Sequence, residues 1–454
     1  MKIPKRKLDI MKCRHVFKIS IALFFLSVIC PNFIKSYSTL HSQSYSEIQS
    51  KLSDFFNSFS DSNEGTTTFR SMLIPFGGRT ESLGNAYVGL CDDINYLNYN
   101  PAAGCVQKET QAAIFHNSWI ADSKLETLAF TTRSKKITHL SFGSYITCFY
   151  VPFSEYNNFG DRVATNYYSE TTAAFNASYN FLAGYDFKGA ALGGTAKTSW
   201  RGMPNYTDDN TNGIIKGSGL EQSALAFAFD FGALFQFNFL KYYSSREPNV
   251  RIGFSVKNIG VSVTGFGNKL KIDDPLPSYV SGGMSLKFIK PVTLTFEVQQ
   301  PFVLASSSYL LPYFNFGVSV QFTNFIQWLA GFSLQGSNPR VSTGFEFEVA
   351  KIRFNFNYTL DLTTSFAPLN RIGLSVKIMF GDKGRSIIQK QIDDYFQTGL
   401  ELYLQSKWEE SIEIWEKCLE LDKRFDPAKQ AIQTAKYQID MMQMIKDSLM
   451  IDRS

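Results

Sequence analysis

Residues Lys351-Ile-Arg-Phe-Asn-Phe-Asn-Tyr-Thr-Leu-Asp-Leu362 alternate between apolar and polar without a slip. On a β-strand, Ile352, Phe354, Phe356, Tyr358, Leu360 and Leu362 share one face, while Lys351, Arg353, Asn355, Asn357, Thr359 and Asp361 share the other. A strict period of two demands a sheet with one greasy face and one wet face. A water-soluble sandwich provides such surroundings, and so does a barrel whose outside meets lipid.

The pattern recurs along the chain. In Leu225 to Phe239, the side chains of Leu225, Phe227, Phe229, Phe231, Phe235, Phe237 and Phe239 stand opposite Asp230, Gln236 and Asn238; Val292, Leu294, Phe296 and Val298 alternate with Thr293, Thr295, Glu297 and Gln299. From Gln111 to Phe380 about fourteen such segments are separated by polar, Gly- or Pro-bearing turns. A soluble sandwich predicts shorter strands and a charged solvent face, yet these polar faces are mostly Asn, Gln, Ser, Thr and Ala. No apolar stretch, the run Ile19–Cys30 included, reaches the ~20 residues of a spanning helix. A membrane-spanning form must then be a closed barrel, which pairs every backbone group internally.

Turn lengths agree. The connections at Ser134-Lys135, Ile289-Lys290-Pro291, Thr323-Asn324 and Ala350-Lys351 are brief, whereas Pro152–Glu170, Arg201–Gly219 and Gly265–Pro275 are long, with Tyr242–Pro248 a longish exception on the short side. Tight turns on one rim and loops on the other fit an outer-membrane barrel. An even strand number predicts that the N-terminal segment and the C-terminal part both face the periplasm.

The chain ends support export. Lys2, Lys5, Arg6, Lys7, Lys12, Arg14 and Lys18 precede the apolar run Ile19–Cys30, and Ser36 and Ser38 have the spacing of a cleavage site, so residues 1–38 read as a signal peptide. Without them the formal charge of +5 becomes −2, since eight of the 45 Lys/Arg and one of the 40 Asp/Glu lie there. No nucleic-acid footprint remains. Cys91, Cys105, Cys148 and Cys418 make no disulfide framework; Cys91 and Cys105 could pair, although two unpaired apolar residues are the preferred reading.

Charge divides the mature chain in two. Only 51 of the 343 residues from Thr39 to Gly381 are Asp, Glu, Lys or Arg, against 25 of the 73 from Asp382 onward. The expected organisation is an N-terminal segment and hatch over 39–110, a β-barrel over 111–381 and a small all-α domain over 382–454.

The stretch before the first strand, Pro75-Phe-Gly-Gly-Arg-Thr-Glu-Ser-Leu-Gly-Asn-Ala-Tyr through Asn100-Pro-Ala-Ala-Gly104, resembles the N-terminal signature of the FadL-type outer-membrane transporters of long-chain fatty acids, and resembles their uncharacterised spirochaete relatives more closely. The matching residues are Gly84, Asn85, Ala86, Tyr87, Asp92, Asp93, Asn100, Pro101 and Ala102. The resemblance implies a fourteen-stranded barrel plugged by a hatch, with Gly84, Asn85, Asp92, Asp93, Asn100, Pro101 and Ala102 as hatch or gating residues. It also implies a hydrophobic small-molecule ligand such as a long-chain fatty acid. Independently, the glycines allow tight bends and Asn100 can hold a turn through its side chain.

Catalytic chemistry finds little footing. Of the four histidines, His15 lies in the signal, and His41, His116 and His139 have no paired spacing; no nucleophile elbow or phosphate loop is present, so neither enzyme activity nor a cofactor or metal is expected. From Tyr395 to Pro427 the chain resembles one tetratricopeptide repeat, with Tyr395, Gly399, Tyr403, Trp408 and Trp415 near its usual positions and Ala428–Ile445 as a third, capping helix. That resemblance implies a possible docking site for a periplasmic protein. The competing function is a non-transporting scaffold for a periplasmic or secretion complex.

Overall fold

The computed structural model describes residues 67–451, apart from 121, 135–136, 138, 158, 182–186, 209–212, 244–246, 304–309, 337 and 363–370. The signal-peptide assignment and His41 lie outside them. Fourteen antiparallel strands close into one barrel: β1 (Gln111–Ser118), β2 (Lys124–Arg133), β3 (Leu140–Tyr156), β4 (Arg162–Phe181), β5 (Ala190–Gly202), β6 (Ala224–Phe237), β7 (Val250–Thr264), β8 (Ser278–Ile289), β9 (Val292–Phe302), β10 (Tyr313–Gln321), β11 (Ile326–Gln335), β12 (Asn338–Val349), β13 (Ile352–Asp361) and β14 (Arg371–Met379). A two-residue strand, Lys271–Ile272, lies along β7 in the loop after it. Each barrel strand pairs with its sequence neighbours, and the ring closes between first and last, from Gln111 opposite Met379 to Ser118 opposite Ile372.

The faces divide as the alternation predicts. On β13 Phe354 and Phe356 are exposed outward, whereas Asn355, Asn357, Thr359 and Asp361 are buried inward. On β6 Phe227, Phe229, Phe231 and Phe235 point out while Ala226, Ala228, Asp230 and Gln236 point in. The outside is therefore an apolar, aromatic-rich band, and the closed ring leaves no sheet edge.

β1 begins and β14 ends on one rim, called the terminal rim below. Two sequence expectations fail on the opposite, far rim. Pro152–Glu170 is not a loop: β3 and β4 pair from Val151 opposite Tyr168 to Tyr156 opposite Arg162, making a projecting arm with a tight tip. Pro152, Glu155, Asp161 and Arg162 interrupt the apolar alternation there, so the sequence did not mark these strands. Nor does the first described stretch stay on the terminal side. Thr68 N donates to Pro275 O at 3.0 Å and Arg201 donates to Thr68 Oγ1 at 2.5 Å, both in far-rim elements. An even strand count fixes the sides of Gln111 and Met379 only; the chain before β1 is free to cross the lumen.

Three helices come after the barrel: α1 (Arg385–Leu404), α2 (Trp408–Leu421) and α3 (Asp426–Ile451). They have their own core of Ile392, Trp415, Cys418, Phe425, Ala428, Ile432 and Ala435. Lys383 donates to Arg133 O at 2.6 Å and Arg385 to Lys108 O at 2.5 Å, tying the start of this domain to the terminal rim.

Candidate functional site: the hatch and its seat

Residues 67–110 fold inside the barrel as short helical turns, Arg70–Leu73, Arg79–Ser82, Ile94–Asn98 and Pro101–Val106, joined by bends. Local chemistry sets these turns. Asp93 caps its turn by accepting from Asn95 N at 2.9 Å, and Asn100 Oδ1 accepts from Ala102 N at 3.1 Å with Pro101 at the first helical position. Gly84 and Asn85 both adopt left-handed backbone, with φ of 61° and 64°. Leu83, Tyr87, Leu90, Ile94, Tyr96 and Leu97 form the main apolar core of the molecule, together with wall residues such as Phe115 and Leu329.

The hatch touches the wall backbone to backbone. A Cβ added to Gly193, Gly232, Gly253, Gly317, Gly331 or Gly344, all on inward positions of the wall, would run into Pro101, Asn100, Val88, Leu83, Gly84 or Ser82 of the hatch. Small wall residues let the plug sit directly on the strands. A glycine on the polar face of so many strands was visible in the sequence, and was the signal for the seat.

Charges lock the same contact. Arg79 donates to Asp92 at 2.8 Å and to Glu346 at 2.9 Å; Lys377 of β14 pairs with Asp93; Arg371 approaches Glu81 at 3.6 Å. Tyr87 Oη donates toward both Asp92, at 2.8 Å, and Asp93, at 2.6 Å, while Glu297 of β9 accepts from Tyr87 N and Val88 N at 2.7 Å each. Burial pushes the Asp93 carboxyl up, but Lys377 and Arg79 outweigh it and hold the group below the ordinary carboxylate range. Lys257 of β7 donates to the main-chain oxygen of Asn98. None of Arg79, Glu297, Glu346, Lys257 or Lys377 was singled out from sequence, because the partner that each meets across the seat lies far away in the chain.

The seven hatch residues expected from sequence come together here. Gly84 packs on Phe332, Asn85 accepts from Tyr99 Oη at 3.0 Å, Asp92 and Asp93 hold the ion pairs, and Asn100 Nδ2 donates to Val88 O and Ala233 O at 3.0 Å. Pro101 O accepts from Asn176 Nδ2 at 3.0 Å, and Ala102 is fully buried. Cys91 and Cys105 are not bridged. In the helical domain, Gly399 and Trp415 are core residues: a Cβ on Gly399 would stand 2.5 Å from Trp415 Cδ1. Tyr403 packs on Trp415, Trp408 is half-buried and Tyr395 is exposed.

The hatch separates two cavities. One of about 640 Å³ opens at the far rim, lined by Phe69, Trp119, Phe149, Tyr168, Arg201 and Arg340 among others. The other, of about 490 Å³, opens at the terminal rim, with Arg79, Asp92, Arg251, Lys287 and Glu346 in its wall.

Fold and site together define a closed fourteen-stranded β-barrel with an internal plug. The chain belongs to the uncharacterised protein family UPF0164, whose model matches residues 43–383. A UPF0164 protein of Treponema pallidum (strain Nichols) is 26% identical over 381 residues, covering 82% of this chain and 83% of its own. A second from the same organism is 24% identical over 404 residues, covering 83% and 77%. Among solved structures, the Ralstonia pickettii toluene transporter TbuX matches 67% of this chain and 98% of its own with a TM-score of 0.43 and 13% identity. The Pseudomonas putida toluene transporter TodX matches 66% and 96% with a TM-score of 0.42 and 11% identity.

Proposed function

We propose that this chain is an outer-membrane barrel that passes hydrophobic small molecules, long-chain fatty acids among them, when its hatch shifts, with the terminal rim toward the periplasm. The observation that carries this reading is the placement of a non-covalently seated plug between two open cavities within a barrel of apolar exterior. Capture takes place in the far-rim cavity, where Phe69, Trp119 and Phe149 offer apolar surface. Movement of the segment around Asn100 and Pro101 then opens the way past the β5–β6 wall.

A tether tests it. A Cβ on Gly344 would lie 2.9 Å from Ser82 Cβ, close enough for a Ser82→Cys/Gly344→Cys disulfide after a small adjustment toward the usual Cβ separation of about 3.8 Å. The oxidised tether should stop fatty-acid uptake into cells and reductant should restore it. Uptake that ignores the tether would remove hatch movement at Ser82 from the gate, and no uptake in either redox state would favour the scaffold function.

The helical domain is proposed as a tetratricopeptide-like adaptor for a periplasmic protein. A groove of about 480 Å³ between α2 and α3, bordered by Trp408, Ile439, Met442 and Ile445, supports this role.

A further inference from the structure

One patch of the barrel's outer face breaks the apolar band. Among the described residues, the outward strand positions below the β3–β4 arm carry an Asp, Glu, Lys, Arg or His only at His116, Lys124 and Glu126. All three are neighbours on β1 and β2. Their outward direction follows from strand alternation, in which Phe115, Asn117, Leu125 and Thr127 are the buried, lumen-side positions.

The patch is built in two rows. His116 and Glu126 stand directly opposite each other, His116 Nδ1 donating to Glu126 Oε1 at 2.7 Å, and each side chain is 42% exposed. Two residues nearer the far rim, Ser118 stands opposite Lys124. Toward the terminal rim the next row is Ile114, Leu128 and Ile146, each more than half exposed and apolar. The charges therefore mark the upper limit of the apolar band, the level at which acyl chains give way to head groups. Neither the second Glu126 oxygen nor the Lys124 ammonium has a protein partner among the described residues.

A cation and an anion about 7 Å apart along one strand face suit a molecule that carries its own anion and cation. We propose that this patch binds a phospholipid with a primary-ammonium head group, its phosphate held by Lys124 and Ser118 and its ammonium by the second Glu126 oxygen, with the acyl chains over Ile114, Leu128 and Ile146. The carboxylate separates this head from a choline head, because a primary ammonium donates three hydrogen bonds and a quaternary one has no N–H to give. The site lies on the outside of the wall and is independent of passage past the hatch.

The test is native mass spectrometry of the full-length protein in detergent micelles, titrated with dioleoyl phosphatidylethanolamine, phosphatidylcholine and phosphatidylglycerol. The ethanolamine lipid should bind about tenfold more tightly than the choline lipid, and Glu126→Gln should erase that preference while leaving the choline lipid unchanged. Lys124→Gln should weaken all three lipids. Both substitutions alter exposed side chains, and heat-dependent gel mobility in SDS checks that the barrel is intact. Equal binding of the ethanolamine and choline lipids by the unmodified protein overturns the site, and so does a preference that survives Glu126→Gln. A lipid-free dimer that either variant splits would also overturn it and assign the patch to a second copy of this chain.

Discussion

Gly84 and Gly331 meet main chain to main chain. A Cβ added to Gly84 would stand 2.6 Å from both the nitrogen and the oxygen of Phe332, and one added to Gly331 would strike the Gly84 nitrogen. Gly331→Ala should therefore push the hatch off β11 rather than merely fill space. We expect a loss of about 1–3 kcal/mol in unfolding experiments, the usual cost of overpacking, with raised conductance in planar bilayers. Unchanged stability and conductance would mean that the hatch yields freely at this contact.

Phe354 and Asn355 are neighbours in sequence with opposite surroundings. Phe354→Arg places a charge on the apolar exterior and should cost about 2–4 kcal/mol if it lies near the bilayer midplane. From sequence alone Asn355→Arg looks far milder, as a substitution into an open polar lumen. The structure corrects this: Asn355 is 1% exposed, beneath the hatch beside Gly78. Asn355→Arg should dislodge the hatch, whereas Asn355→Ala should be mild. Heat-dependent gel mobility in SDS, read with bilayer conductance, separates the outcomes, because the outward change weakens the barrel and the inward one opens it.

The Asp93–Lys377 pair is fully buried, so removing one partner strands the other charge. Lys377→Met should cost roughly 3–5 kcal/mol, and the double variant Asp93→Asn/Lys377→Met should recover part of it. Because Asp93 has a lowered pKa in the fold, its contribution is present above the unfolded value of about 3.9 and is lost as pH falls through the folded one. The Asp93 contribution to hatch seating should thus be unchanged from neutral pH to mild acid and weaken only below about pH 4. Conductance measured across that range checks the sign; opening between pH 7 and 5 would point to a different group.

The helical domain should be separable. Its core is independent of the barrel, whose last strand ends at Met379. Removing 385–454 should leave heat-modifiable mobility and conductance intact, while Trp415→Ala should cost that domain about 3–5 kcal/mol, seen as lost helical circular dichroism, with the barrel unaffected.

Features that repeat were the ones legible in the sequence. Strict alternation at Ile352–Leu362 and Leu225–Phe237 exposed the barrel because lipid on one side and a polar lumen on the other act on every spanning residue alike. The arm from Val151 to Tyr168 escaped because Pro152, Glu155, Asp161 and Arg162 break the alternation there. The hatch fold was partly legible, through Asn100-Pro101 and Gly84, whose chemistry is local. Its lock was not: Lys377 and Asp93 are 284 positions apart, and only closure of the ring brings them together.

That closure joins the first strand to the last, and the plug precedes the first strand in the chain. The seam between β1 and β14 can zip only after every other strand has been made, so the plug is either enclosed as the cylinder forms or enters it afterwards through an open rim. A finished ring offers the hatch no side doorway, since its strands are hydrogen-bonded neighbour to neighbour all the way round. If the hatch is the gate proposed above, permeability is something each molecule acquires after assembly, one opening at a time.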